Sequence, residues 1–203
     1  MNRTLGKIAS AVTLCAVAAF AVSMLLGSGF LSYLSCMFIA WGFVPMVAAF
    51  AALSGQDAKA HGYAALAFAS VYAVLVMLVY FAQLTAVKTL SPGGEAARIL
   101  DYNQFGLLFG YDLLGYAFMA LSTFFIAPAV PAGSKGDRWL RLLLRVHGVF
   151  APVCVVLPML GVFRPGMAGG ALTGTLVLEF WCAYFIPVCV LAYRYFARSE
   201  DAA

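Results

Sequence analysis

IASAVTLCAVAAFAVSMLLG at residues 8–27 and FLSYLSCMFIAWGFVPMVAAFAAL at residues 30–53 follow one another with only Ser28 and Gly29 between, and neither carries a charge. A hydrocarbon layer about 30 Å thick is crossed by about 20 apolar residues in helical form. The pair therefore reads as two membrane-crossing helices joined by a turn. Arg3 and Lys7 precede the first stretch as they would in a secretory signal peptide, but its apolar run exceeds the roughly 7–15 residues of such a segment.

The same signal recurs at residues 62–87, 105–128, 139–163 and 171–194. Across the 203 residues, 65% are hydrophobic and 10% charged, against about 45–50% and about 25% in soluble domains. The expectation is an all-α integral membrane protein, residues 1–203 forming a single transmembrane domain built as a six-helix bundle. Only the connection from Lys88 to Gln104 is long. Ser91-Pro92 reads as the start of a short interfacial helix, with Glu95, Arg98 and Asp101 at three-residue spacing. Pro45, Pro152, Pro158 and Pro187 are expected to kink the second, fifth and sixth spans.

Basic residues are retained on the cytoplasmic side. With the N-terminus inside, Arg3, Lys7, Lys59, Lys135, Arg138, Arg141, Arg145, Arg194 and Arg198 lie on or near that face, and only Lys88, Arg98 and Arg164 face outward. Both termini are thus expected in the cytoplasm, the chain lying in the plasma (inner) membrane. Trp139, Tyr193 and Tyr195 suit an inner aromatic belt, and Tyr33 and Tyr102 an outer one.

Within apolar spans a carboxylate is expensive and usually faces the bundle interior or a water-filled cavity. Asp112 and Glu179 are two such residues, each expected roughly 10–12 Å below the outer surface at 1.5 Å per residue. Tyr80 and Gln83, on one helical face with Tyr72, reach a similar depth, and Tyr116 lies one turn below Asp112. Asp112, Glu179, Tyr80, Gln83 and Tyr116 are therefore the expected ligand-binding residues of a pocket open outward. The competing reading is that they pair with neighbours and only lock the bundle.

Other features carry less. Gly106, Gly110 and Gly115, and the stripe Ala11, Cys15, Ala19 and Ser23, read as surfaces for close helix approach. Arg138, Arg141 and Arg145 line one face and are expected to anchor on lipid headgroups. Cys15, Cys36, Cys154, Cys182 and Cys189 read as small buried hydrophobes. His61 lies at the mouth of its span and His147 about two turns inside, which disfavours a shared haem. No Gly-rich phosphate loop, HExxH, GxSxG or aspartate-rich motif is present. No metal, cofactor or nucleic-acid partner is expected; the partners are the lipid bilayer, a small-molecule ligand, and a partner subunit or second copy against the first helix.

About six spans and a small-residue first helix resemble, in architecture alone, the solute-binding membrane subunits of energy-coupling vitamin importers. The resemblance carries no residue over. It agrees with the leading expectation, capture or transport of a small apolar or cationic molecule. A second reading is a membrane-embedded enzyme acting on a lipid or isoprenoid through the two carboxylates. A third is a structural or regulatory membrane protein without turnover.

Overall fold

The computed structural model describes residues 1–164 and 170–198, and among them the chain is all helical. Two long helices open it, α1 (Asn2–Leu25) and α2 (Gly29–Leu53). Next, α3 (Lys59–Ala82) runs through a π turn at Gln83–Val87 into the short α4 (Lys88–Leu90). A seven-residue helix, α5 (Gly94–Leu100), precedes α6 (Leu107–Ile126). The last three are α7 (Lys135–His147), α8 (Phe150–Met159) and α9 (Gly170–Ala197). Six of the resulting rods are long and apolar enough to cross a membrane: Asn2–Leu25, Gly29–Leu53, Gln56–Leu90, Leu107–Ala129, Lys135–Met159 and Leu172–Ala197.

Each departure from the expected boundaries has a local cause. The first helix begins six residues early because nothing in Asn2–Lys7 breaks it. The second starts where the Ser28 hydroxyl accepts from the Leu31 N–H. The fifth rod divides at Gly148–Val149. Pro152 has no N–H to return to the Gly148 carbonyl, and the turn before it tightens to three-residue bonds from Gly148 to Arg145, Val149 to Val146 and Ala151 to Gly148. By contrast, α2 and α9 continue as single helices through Pro45 and Pro187. The expected helix between the third and fourth rods is present as α5, but its N-cap is Gly93. Ser91 instead turns the chain with φ 44°.

Packing follows a ring: α9 on α1, α1 on α2, α2 on α3, α3 on α6, and α6 on α7 and α8. The ring closes through α7 and α9, and α8 reaches α9 through Phe150 against Tyr184. Arg3 donates to the Tyr195 carbonyl at 3.2 Å, so both termini lie at one end; the opposite end, with Gly27, α5 and Gly161, is the distal end below. Small residues set the closest crossings, where a side chain would hold the backbones apart. A Cβ on Gly42 would meet the Thr13 backbone nitrogen at 2.9 Å, and one on Gly115 would meet Val76 Cγ1 at 2.9 Å.

Other expectations about packing are corrected. A Cβ on Gly110 would meet nothing within 4 Å, and Gly106 precedes α6, pressed against the Arg98 carbonyl, so these two do not form a helix-crossing motif. On α1 the buried face is Gly6, Ala9, Ser10, Thr13, Ala16, Val17 and Phe20. The expected stripe points elsewhere: Cys15 and Ala19 are exposed, Ala11 is half-buried, and of the four only Ser23 is buried. Cys36, Cys182 and Cys189 are buried, Cys154 is half-buried, and Cys15 is not buried at all.

The outward faces are strongly apolar. Leu26, Leu78, Phe81 and Phe180 expose 73%, 62%, 59% and 63% of their surface. Three residues assigned to aromatic belts turn toward the bundle instead: Tyr195 is buried against Phe50 and Phe196, and the half-buried Tyr33 and Tyr102 pack on each other and on Tyr80. Trp139 and Tyr193 are exposed near the terminal end.

Candidate functional site

Asp112 sits five residues into α6 from its distal end, on the buried face with Phe109, Gly115 and Met119. It is 2% exposed. At 1.5 Å per residue it lies about 8 Å from the helix end. Its Oδ2 accepts from the Tyr102 hydroxyl at 3.2 Å, and Tyr80 is the second phenol beside the carboxylate. Its Oδ1 is buried with no hydrogen-bond partner. Asp112 forms no ion pair among the described residues, whose one salt bridge is Asp137 with Arg198 at the terminal end.

The hydroxyl inventory explains why one oxygen is left over. Tyr116 donates to Cys36 Sγ at 3.7 Å, and the Tyr80 and Tyr116 hydroxyls lie 3.4 Å apart. Each phenol has one hydrogen. If Tyr116 gives its hydrogen to sulfur, Tyr80 must choose between Tyr116 and Asp112. The Tyr72 hydroxyl, fully buried one step deeper, has no partner either. Orphaned buried polar atoms cost about 1–3 kcal/mol each, so two in one cluster mark a place where packing is not optimised for stability.

A segment outside the long helices closes this cluster. Tyr102, half-buried between α5 and α6, projects its ring against Phe109 with centroids 5.1 Å apart. Burial holds its phenol well above the ordinary range, and the Asp112 carboxylate adds to that. Gln83 clamps the segment from the side. Its Nε2 donates to the Leu100 carbonyl at 2.7 Å and its Oε1 accepts from the Tyr102 N–H at 3.0 Å. Gln83 opens the π turn of the third rod, and the extra residue in such a turn re-aims a side chain. Both ends of its amide are thus taken by the segment backbone. The expected outward-open pocket is closed here, filled by Tyr33, Tyr80 and Tyr102.

Glu179 is half-buried on α9 with Oε1 buried and without a hydrogen-bond partner. Trp181 packs edge-on to Tyr116 at 5.6 Å, which places Glu179 within about 3 Å of the Asp112 level along the bundle. No hydrogen bond joins the two carboxylates among the described residues: Asp112 accepts from Tyr102, and Glu179 Oε1 has no partner. Tyr80, Gln83 and Tyr116 are gathered with Asp112; Glu179 stands apart. The residues that sequence reasoning missed are Tyr33, Cys36 and Tyr102. Tyr102 is ten residues before Asp112 in the one long connection, a spacing that lets it fold back over the helix start.

Beyond Tyr116 the polar line continues to His147. Trp181 Nε1 can only donate, and it gives its hydrogen to His147 Nε2 at 3.1 Å. His147 Nδ1 therefore carries the proton of a neutral ring and donates to Thr123 Oγ1 at 2.8 Å, and Thr123 in turn donates to the Ala120 carbonyl at 2.8 Å. Every hydrogen in that chain has one direction. His147 is the hydrogen-bonded neighbour of α6 and α9, while His61 is exposed beside Phe125. No group of three His, Cys, Asp or Glu able to hold a metal ion occurs among the described residues.

At the terminal end, Arg138 and Arg145 are exposed and Arg141 is half-buried. Asp137 forms a capping box with Ser134 and pairs with Arg198 through both its oxygens. Comparison with protein-family models, curated proteins and solved structures finds no match for the chain.

Proposed function

We propose that this chain is an integral membrane protein that captures or carries a small cationic, otherwise apolar molecule at Asp112, entered from the distal end. On this reading the six rods span the bilayer, both termini are cytoplasmic as the basic residues suggest, and Arg138, Arg141 and Arg145 rest on lipid headgroups. Asp112 supplies the charge. Tyr80 and Tyr116 orient the ligand, Gln83 holds the covering segment, and Glu179 is a second carboxylate at similar depth.

The observation that carries the proposal is the unpartnered Asp112 oxygen in a 2% exposed side chain that pairs with no cation among the described residues. Burying a carboxylate unpaired is costly enough that its retention is best explained by a positive partner that comes and goes. The enzyme reading has less support, because no hydrogen bond links the two carboxylates among the described residues, as a shared acid and base at one bond would favour.

The test is a thermal-stabilisation screen of the detergent-purified protein against protonated amines and their neutral analogues, with Asp112→Asn in parallel. Amines should raise the unfolding midpoint of the unaltered chain and leave the variant unmoved. Equal behaviour of the two proteins, or a response to neutral analogues alone, would remove Asp112 from the binding site.

A further inference from the structure

We infer that the segment 91–105 is a lid and that Tyr33, Tyr80 and Tyr102 are a collapsed aromatic cage, which opens to seat an alkylammonium group against Asp112. This rests on the reading of Asp112 as a ligand carboxylate and adds the chemistry of the ligand.

The three rings come from three elements: Tyr33 from α2, Tyr80 from α3, and Tyr102 from the covering segment. Their centroids form a near-regular triangle, 5.7 Å from Tyr33 to Tyr80, 5.8 Å from Tyr33 to Tyr102 and 6.4 Å from Tyr80 to Tyr102. Asp112 adjoins two of these rings, accepting from the Tyr102 hydroxyl through Oδ2 with Tyr80 beside it, and its other oxygen is buried without a partner. Aromatic faces around a carboxylate are the arrangement that recognises organic ammonium ions, whose charge is spread over a greasy surface. A hard divalent ion, in contrast, demands about six or more oxygen ligands.

The present triangle is too small to be occupied. A cation about 4.5 Å from each of three centroids needs rings about 8 Å apart. The cage must therefore widen by about 2 Å, and the lid is where that movement is available. Tyr33 and Tyr80 are fixed on long helices. Tyr102 rides on a segment whose residues are mostly exposed and whose two ends sit in the left-handed region at non-glycine residues, Ser91 at φ 44° and Phe105 at φ 53°. A residue with a Cβ is strained in that region, and straightening would release the strain. Gln83, the Tyr102 hydroxyl and the Phe109 ring hold the lid down.

The test titrates the full-length protein in detergent micelles by calorimetry with tetramethylammonium, rubidium and 3,3-dimethylbutan-1-ol, the last a neutral molecule of similar bulk. Tetramethylammonium should bind, and the other two should not. Tyr33→Leu and Tyr102→Leu should each weaken it roughly 5- to 30-fold, and Asp112→Asn should abolish it. Tyr102→Phe keeps the ring and frees the latch, so it should bind at least as tightly as the unaltered chain. That variant also guards against mistaking misfolding for a lost ring. Binding that depends on Asp112 but is indifferent to both leucine variants, or that favours rubidium, overturns the cage and leaves the carboxylate site standing. No binding of any cation overturns both.

Discussion

Replacing Gln83 with leucine removes the clamp on the lid while keeping nearly the same volume in a side chain that is 4% exposed. Two hydrogen bonds are lost, to the Leu100 carbonyl at 2.7 Å and from the Tyr102 N–H at 3.0 Å. Each is worth about 0.5–1.5 kcal/mol net, so the closed lid loses about 1–3 kcal/mol relative to an open one whose backbone groups meet water. At about 1.4 kcal/mol per factor of ten, the opening equilibrium should rise roughly 5- to 150-fold. Hydrogen exchange read by mass spectrometry on peptides covering 94–104 measures this directly, because exchange reports local opening free energies. Those peptides should exchange faster by that factor while α1, α2 and α6 stay as protected as before. If the lid peptides do not change, Gln83 is not a clamp. If the long helices loosen in step with them, the segment does not open independently and there is no lid.

Four further outcomes are expected. Asp112→Asn should leave the thermal midpoint in micelles unchanged or raise it, because the amide still accepts from Tyr102 and the buried charge is gone; a large fall would mean that the charge holds the bundle together. Gly42→Ala should cost about 1–3 kcal/mol by driving a methyl into Thr13 of α1, whereas Gly110→Ala, which meets nothing within 4 Å, should be neutral or mildly stabilising; equal effects in denaturation would contradict the packing described. His147→Phe should lower the unfolding free energy by about 1–3 kcal/mol per orphaned group, and Trp181 emission should shift as its N–H loses its acceptor. In a cysteine-free background, Glu95→Cys should react with an impermeant thiol reagent on intact cells and Gln56→Cys only after permeabilisation; the reverse pattern would invert the proposed topology.

The six apolar rods could be read in advance because a bilayer imposes one length and one polarity on every crossing segment, leaving little for tertiary context to alter. Asp112 was visible for the same reason: nothing else in 105–128 is charged. What covers Asp112 was not. Tyr102 has the composition of a membrane-interface residue, and only the left-handed turn at Phe105 folds it back onto α6. Gln83 was placed at the right depth, but the π turn that aims it at the lid backbone leaves no pattern in hydropathy. The small-residue stripe on α1 is not the face that packs within the chain, because alanine and cysteine suit an outer surface as well as a helix crossing, and the face chosen by packing is the one where Thr13 meets Gly42. The division of the fifth rod was half-legible: Pro152 signalled a disturbance, and the missing bond to Gly148 decided where it fell.

The ring of helices closes through its ends in sequence, and that sets an order for its assembly. Gly6 is overlaid by the Phe196 ring, with the ring carbons 2.5–2.6 Å from where a Cβ would stand, and Arg3 grips the Tyr195 carbonyl. Yet α1 is synthesised and inserted long before α9 exists. Until then α1 has only α2 beside it, and the notch at Gly6 that the Phe196 ring fills stays open. A chain truncated before α9 would keep that notch uncovered for good.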